Sequence, residues 1–362
     1  MATYKEINGT AVQNYAGDLP GAADGQLWYN STATNFKFQY GATAAAWATG
    51  NNLNTARSYL AGCGTTTAAL AAGGNPETAA TELYNGTNWT EVNDLQTVRR
   101  QLTAAGTQTA ALAFGGNAPP GYQAVTETWN GTNWTEVNDL NTARAMLGSA
   151  GTQTAALGFG GYATGAPTVN TELWNGTNWT EVNNLNTNRY ALSGAGTQTS
   201  ALAIGGTPAP TGNTELWNGT NWTVVNNLNT ARQNAAAAGT DNTSALYFGG
   251  SPGVALTETW NGTNWTETAD LNTARRGLAG AGTTTSALAF SGFTPPYTGT
   301  TEAWNGSSWA TVGTLNTARM VFGGGAGASN TSALAFGGST GSPSALTEEW
   351  TDPGIITKTL TT

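Results

Sequence analysis

Residues 171–206 read TELWNGTNWTEVNNLNTNRYALSGAGTQTSALAIGG, and close copies of this string begin at Thr81, Thr126, Thr214, Thr257 and Thr301. The arginine that ends the Asn-Thr-Ala-Arg-like segment recurs at Arg57, Arg99, Arg144, Arg189, Arg232, Arg275 and Arg319, at spacings of 42, 45, 45, 43, 43 and 44 residues. A period near 44 residues over most of a chain marks a repeat architecture. Within one copy, a small-residue run (Leu192 to Gly196) leads to a polar Thr-Gln-Thr turn. An apolar run ending in Gly-Gly follows (Ala201 to Gly206). After a loop of variable length comes Thr-Glu-Leu-Trp, then Asn-Gly, then Thr-Asn-Trp-Thr-Glu-Val. Asn-Gly is the strongest signal for a two-residue hairpin turn, because both residues tolerate positive φ. Four short strands per copy, with no helical period, describe the blade of a β-propeller.

These residues resemble the kelch repeat: Gly-Gly after an apolar strand, Glu-x-Tyr/Trp, a Trp five residues on and an Arg ten residues further. The likeness runs over about residues 44–351. It departs in two places: the spacing between the two aromatics is a residue or two short, and one Gly-Gly is Ser291-Gly292. The resemblance implies an all-β, seven-bladed kelch-like propeller with four antiparallel strands per blade. Counting the strands predicts how the ring closes. A Trp precedes each repeat Arg by ten residues, and Trp47 does so for Arg57 although no complete copy comes before it. Trp350 ends the last Thr-Glu-x-Trp strand, and no Asn-Trp strand follows. The strand around Trp47 is therefore expected to complete the last blade beside Trp350, which removes two open sheet edges. Of the 14 Trp, only Trp28 falls outside the two blade positions.

Composition removes most catalytic chemistry. The chain has 362 residues, no His, one Cys and a net charge of −9. Without His there is no Ser–His or Cys–His nucleophile pair and no imidazole-ligated metal, so the copper-oxidase activity known on kelch scaffolds is not carried over. Cys63 occupies a position that is Ala195 or Ala281 in other copies and reads as a buried small residue. Twelve Lys and Arg against 21 Asp and Glu exclude a nucleic-acid footprint, and no apolar run reaches the length of a membrane span. The opening MATYKEINGT has no apolar signal-peptide core. Paired carboxylates could support glycoside hydrolysis, but the acids are either repeated or scattered (Glu77, Asp241), with no cluster that breaks the repeat. No catalytic residue, metal site or cofactor is expected.

Seven Arg accompany seven Glu: Glu82, Glu127, Glu172, Glu215, Glu258, Glu302 and Glu348. One of each per copy points to structural pairing within or between blades, with a ligand-binding charged ring as the alternative. The Asn-x-Thr tripeptides, such as those at Asn85 and Asn88, read as turn and strand chemistry. Sequence variation concentrates in the loops between second and third strands, from six residues (75–80) to nine (117–125). Tyr122, Tyr162, Phe293 and Tyr297 lie there and are the candidate binding residues, as aromatics on scaffolded loops suit recognition.

Residues 1–43 lie outside the repeat, and 352–362 form a C-terminal tail. The stretch DGQLWYNSTATNFKFQYG (24–41) reads as a β-hairpin and resembles the Gly-x-Leu-Trp-Tyr-Asn hairpins of tailed-phage fibres and other virion proteins. That resemblance implies a non-enzymatic virion appendage protein. Residues 1–43 would dock on other virion proteins, and the propeller would meet a host-surface glycan or protein. The alternatives are a bacterial extracellular lectin-like propeller and a glycan-active propeller enzyme.

Overall fold

The computed structural model describes residues 12–17, 19, 26–41, 45–239, 241–321, 325–352 and 355–360, and all of these are strand, turn or loop. The chain divides into two compact units, 46–351 and a second built from 1–45 together with 352–362.

Among the described residues, the larger unit holds seven four-stranded antiparallel sheets. The first runs Ala61–Gly64, Ala69–Ala72, Thr81–Tyr84, Trp89–Glu91, in the order of the chain. Sheets two to six repeat this plan at 103–136, 148–181, 193–224, 236–267 and 279–311. The last takes Gly325–Ser329, Ser332–Phe336 and Thr347–Thr351 from the C-terminal side and Ala46–Thr49 from the other end of the unit. Trp47 pairs with Trp350 in that register, and their rings lie 5.7 Å apart. The arrangement is that of a propeller.

First strands neighbour one another in cyclic order, from 61–64 through 325–329 and back to 61–64. This crowding explains their Gly, Ala and Ser content. A Cβ on Gly194 would stand 2.6 Å from the Ser149 carbonyl oxygen of the neighbouring first strand. Second strands are buried almost throughout, as at Ala201–Ile204, and third strands bury three of four residues, as at Thr214–Trp217, where Leu216 alone is half-buried. Large aromatics therefore fill the widening space between adjacent sheets. Each fourth-strand Trp donates its indole N–H to the Thr that opens the third strand of the preceding sheet: Trp134 to Thr81 at 3.0 Å, Trp179 to Thr126, Trp222 to Thr171, Trp265 to Thr214 and Trp309 to Thr257 at 2.9 Å, Trp47 to Thr301 at 2.7 Å and Trp89 to Thr347 at 2.8 Å. These seven bonds form a closed cycle, and each satisfies a buried donor as it ties two sheets together.

The Arg–Glu rows are structural. All seven Arg are fully buried, and each meets its Glu: Arg57–Glu82, Arg99–Glu127 and Arg189–Glu215 at 3.0 Å, Arg144–Glu172 at 2.9 Å, Arg275–Glu302 at 2.5 Å, and the close pairs Arg232–Glu258 and Arg319–Glu348. Burial pulls the Arg189 guanidinium below its ordinary range, and Glu215 opposes that pull. Arg189 also donates to the carbonyls of Asn213 and Ala203 within the sheet it enters. Its backbone belongs to the sheet before: its N–H donates to Thr168 and its carbonyl accepts from Gly161. Room for that contact comes from the Gly-Gly pair. Gly160 has φ +61°, and a Cβ there would stand 2.6 Å from the Arg189 carbonyl oxygen.

One reading changes. The Asn-Gly turns are not two-residue hairpins. Tyr84 pairs with Trp89, which leaves the four-residue loop 85–88, and of its Asn-Gly pair only Gly86 is at positive φ. The Asn85 carboxamide accepts from the N–H groups of Thr87 and Asn88 at 2.9 and 2.8 Å, and this side-chain turn holds the longer loop. Within the C-terminal tail, Ile355–Leu360 is a strand. Ile355–Leu360 pairs antiparallel with Asn35–Gly41, which forms the expected hairpin with Leu27–Asn30, and Gln13–Tyr15 adds a parallel edge. The expected boundary after residue 43 lies outside the described residues.

Two stability predictions follow from these contacts. Arg189→Ala strands Glu215 and the three carbonyls of Ala203, Gly205 and Asn213, and is expected to cost about 3–5 kcal/mol in chemical denaturation; a loss under about 1 kcal/mol would remove the pair from the structural account. Ser291 sits where other copies have Gly, fully buried at φ 63° with no partner for its hydroxyl. Ser291→Gly is therefore expected to stabilise by about 1–2 kcal/mol, read as a raised Tm.

Candidate functional site: the mouth of the central cavity

The connector that carries each repeat Arg delivers two variable residues next, ahead of the residue that leads into the first strand. These pairs differ in every copy: Ser58-Tyr59, Arg100-Gln101, Ala145-Met146, Tyr190-Ala191, Gln233-Asn234, Arg276-Gly277 and Met320-Val321. The first member bridges to the loop between second and third strands, as Arg100 does to Asn117 and Arg276 to Phe293. The second turns into the left-handed region, with φ of 51° at Tyr59, 56° at Gln101, 53° at Met146, 50° at Ala191, 52° at Asn234 and 61° at Gly277. Neighbouring copies then join backbone to backbone. The N–H of Gln101 donates to Tyr59 at 2.9 Å, Met146 to Gln101 at 3.3 Å, Ala191 to Met146 at 3.1 Å and Gly277 to Asn234 at 3.0 Å. The result is a rim of unlike side chains on two hydrogen-bonded runs of backbone, Tyr59 to Ala191 and Asn234 to Gly277.

This rim lines a cavity of 650 Å³ floored by Leu60, Leu102, Leu147, Leu192 and Leu278. A smaller one of 380 Å³ shares Tyr59, Gln233, Asn234 and Gly277 and adds Ser251, Arg276, Phe293, Tyr297 and Met320. Among the residues that line either cavity, Arg276 alone is charged. Its guanidinium carbon sits 5.3 Å from the centre of the Phe293 ring, and it makes no ion pair among the described residues. Arg100, by contrast, is held by Glu77 at 3.2 Å.

The four candidate aromatics divide into two groups and are half-buried. Tyr122 meets Tyr162 at 5.6 Å, and Tyr162 meets Tyr190 at 4.8 Å. Two short ribbons, Asn117–Ala118 with Gly121–Tyr122 and Tyr162–Ala163 with Ala166–Pro167, hold the first two rings. Burial, helped by Tyr162 and Tyr190, pushes the Tyr122 phenol up. Phe293 and Tyr297 meet edge to face at 5.1 Å on the sixth sheet's loop. Of the four, Phe293 and Tyr297 line a cavity. The mouth pairs were missed in the sequence reading, although their variation within a fixed-length stretch of the repeat was visible.

Elsewhere the chemistry is quiet. Cys63 is half-buried rather than fully buried, and burial pushes its thiol up to about 12, away from the thiolate. Among the described residues no group of three or more His, Cys, Asp or Glu could hold a metal ion.

No known family model and no curated protein matches the chain. Among solved structures it is similar to YjhT, with a TM-score of 0.55 at 12% identity, covering 67% of this chain and 92% of that one. At that identity the likeness shows the fold alone.

The left-handed rim predicts opposite responses at one position. Ala191→Gly should stabilise by about 1 kcal/mol, and Ala191→Val, whose branched Cβ is strained at positive φ, should destabilise by more. Equal melting temperatures for the two variants would contradict the rim geometry.

Proposed function

We propose that this is a non-enzymatic appendage protein of a tailed-phage virion, whose kelch-like propeller recognises the host surface. One observation carries this reading: the two ends of the chain build a separate sheet, and the larger unit keeps its variation for one rim. In the seven sheets the pairing residues and turns repeat almost unchanged, so they carry little recognition information. The connector pairs and the adjoining loops differ in chemistry from copy to copy. The Leu27–Asn30 and Asn35–Gly41 hairpin resembles those of phage fibres, and with Ile355–Leu360 across it the docking element includes the C-terminal residues. Other virion proteins are the partners of that element. The virion surface is the location this implies.

Two variants test the division of labour. Replacing Tyr122, Tyr162, Phe293 and Tyr297 with Ser should impair adsorption to host cells and leave the protein on the particle. Deleting 1–43 and 353–362 keeps Ala46–Thr49 for the last sheet, and should abolish incorporation with the propeller still folded. If the loop variant is lost from particles, that face is a docking surface and the adhesion reading fails.

A further inference from the structure

The smaller cavity combines groups that the fold itself leaves unused. Arg276 is exposed and lies over Phe293, which in turn packs against Tyr297. Gln233 and Asn234 present carboxamides that make no side-chain hydrogen bond among the described residues, and Ser251 adds a hydroxyl. A carboxamide both donates and accepts, which matches a ligand hydroxyl. A volume of 380 Å³ falls in the small-ligand range of roughly 300–1,000 Å³.

Backbone accounting separates a sugar from a peptide. Arg276 and Phe293 exchange both of their N–H···O bonds at 3.1 and 2.8 Å, Gln233 accepts from Ser251 at 2.7 Å, and Asn234 accepts from Gly277 at 3.0 Å. Strand-addition recognition of a peptide needs a run of free main-chain partners, and here both backbone groups of Arg276 and Phe293 and the carbonyls of Gln233 and Asn234 are engaged. What remains is a side-chain surface: one aromatic face, two carboxamides, a hydroxyl and one cation. A pyranose ring offers an apolar C–H face for the aromatic and equatorial hydroxyls for the amides. A carboxylate on that ring gives the guanidinium a planar, two-oxygen partner.

Resting on the adhesion reading, we propose that this cavity binds an acidic sugar residue of the hexuronate class. Its carboxylate would pair with Arg276, its apolar face would lie on Phe293 and Tyr297, and its hydroxyls would bond Gln233 and Asn234.

The test uses the full chain, with methyl glucuronide and methyl glucoside as probes in titration calorimetry or ligand-observed NMR. The glucuronide should bind at least about tenfold more tightly than the glucoside, the margin of one charge-assisted contact. R276A should reduce the glucuronide to the level of the glucoside, F293A should weaken both, and R100A should change neither. Equal binding of the two probes, no binding of either at about 10 mM, or an unaltered R276A each overturns the proposal. Adsorption of particles carrying R276A separates this idea from the one beneath it. If R276A blocks adsorption and no uronide binds, the ligand class is wrong and adhesion stands. If the uronide binds through Arg276 and R276A particles adsorb normally, the site is real and the host-recognition reading falls.

Discussion

The fold depends on a charge buried where two sheets meet. An isolated guanidinium in an apolar interior is costly, so each repeat Arg needs a carboxylate and several carbonyls around it before burial is tolerable. The chain supplies them from two directions. The Arg backbone is bonded to the sheet it leaves, and its side chain is bonded to the sheet it enters, with Glu215 answering Arg189 as one instance. The same carboxylate accepts from the Asn186 N–H at 2.7 Å and its side-chain amide at 2.9 Å, which pins the connector. One ion pair thus fixes the connector, the third strand and the Gly-Gly corner. This is why those three motifs travel together through the sequence. It also sets the pair apart from a surface salt bridge, whose loss leaves nothing unsatisfied.

Closure answers a second constraint. A row of open sheets would expose an unpaired strand at each end, and residues 46–49 remove both edges by joining the sheet whose other three strands lie at 325–351. The Trp-to-Thr cycle passes through this junction without a gap, since Trp47 and Trp89 donate to Thr301 and Thr347 as their counterparts do elsewhere. The junction has contacts of its own, among them the Tyr84 hydroxyl, which donates to Glu349. Tyr84 stands where the other sheets carry Trp, and a phenol replaces the indole N–H that there bonds a turn carbonyl, as Trp129 does to Gln108 at 2.9 Å. The closing interface is therefore chemically marked within an otherwise near-uniform ring.

Much of this was legible because it repeats. A strand pattern that recurs with its Arg, Glu and two aromatics leaves little freedom in element type, partner or burial, and the Trp47 spacing exposed the displaced strand. Features that failed to repeat, or that turned on a local balance, were harder. Asn-Gly suits a tight turn, but the Asn85 carboxamide has two backbone donors within reach and wins them by opening the loop. The segment 355–360 matches nothing in the repeat, so only its partner at 35–41 identifies it as a strand. Tyr122 and Phe293 were recognisable as unusual loop residues, yet nothing in the sequence shows that one joins a tyrosine cluster and the other lies under a guanidinium.

The mouth shows how a near-uniform repeat acquires chemical individuality. Two steps after the buried Arg, the left-handed φ at Tyr59, Gln101, Met146, Ala191, Asn234 and Gly277 sets the backbone direction, and Gln101, Met146, Ala191 and Gly277 each donate to the carbonyl of the preceding copy. These backbone bonds between neighbouring copies do not depend on which side chains stand there. Any side chain that tolerates the conformation can then stand there without disturbing the Arg–Glu pair beneath it. Stability and recognition are separated by two residues of chain. The fixed part carries the buried charge, and the variable part is free to differ. That separation accounts for Tyr, Gln, Met and Asn at equivalent positions of copies that otherwise agree almost residue for residue.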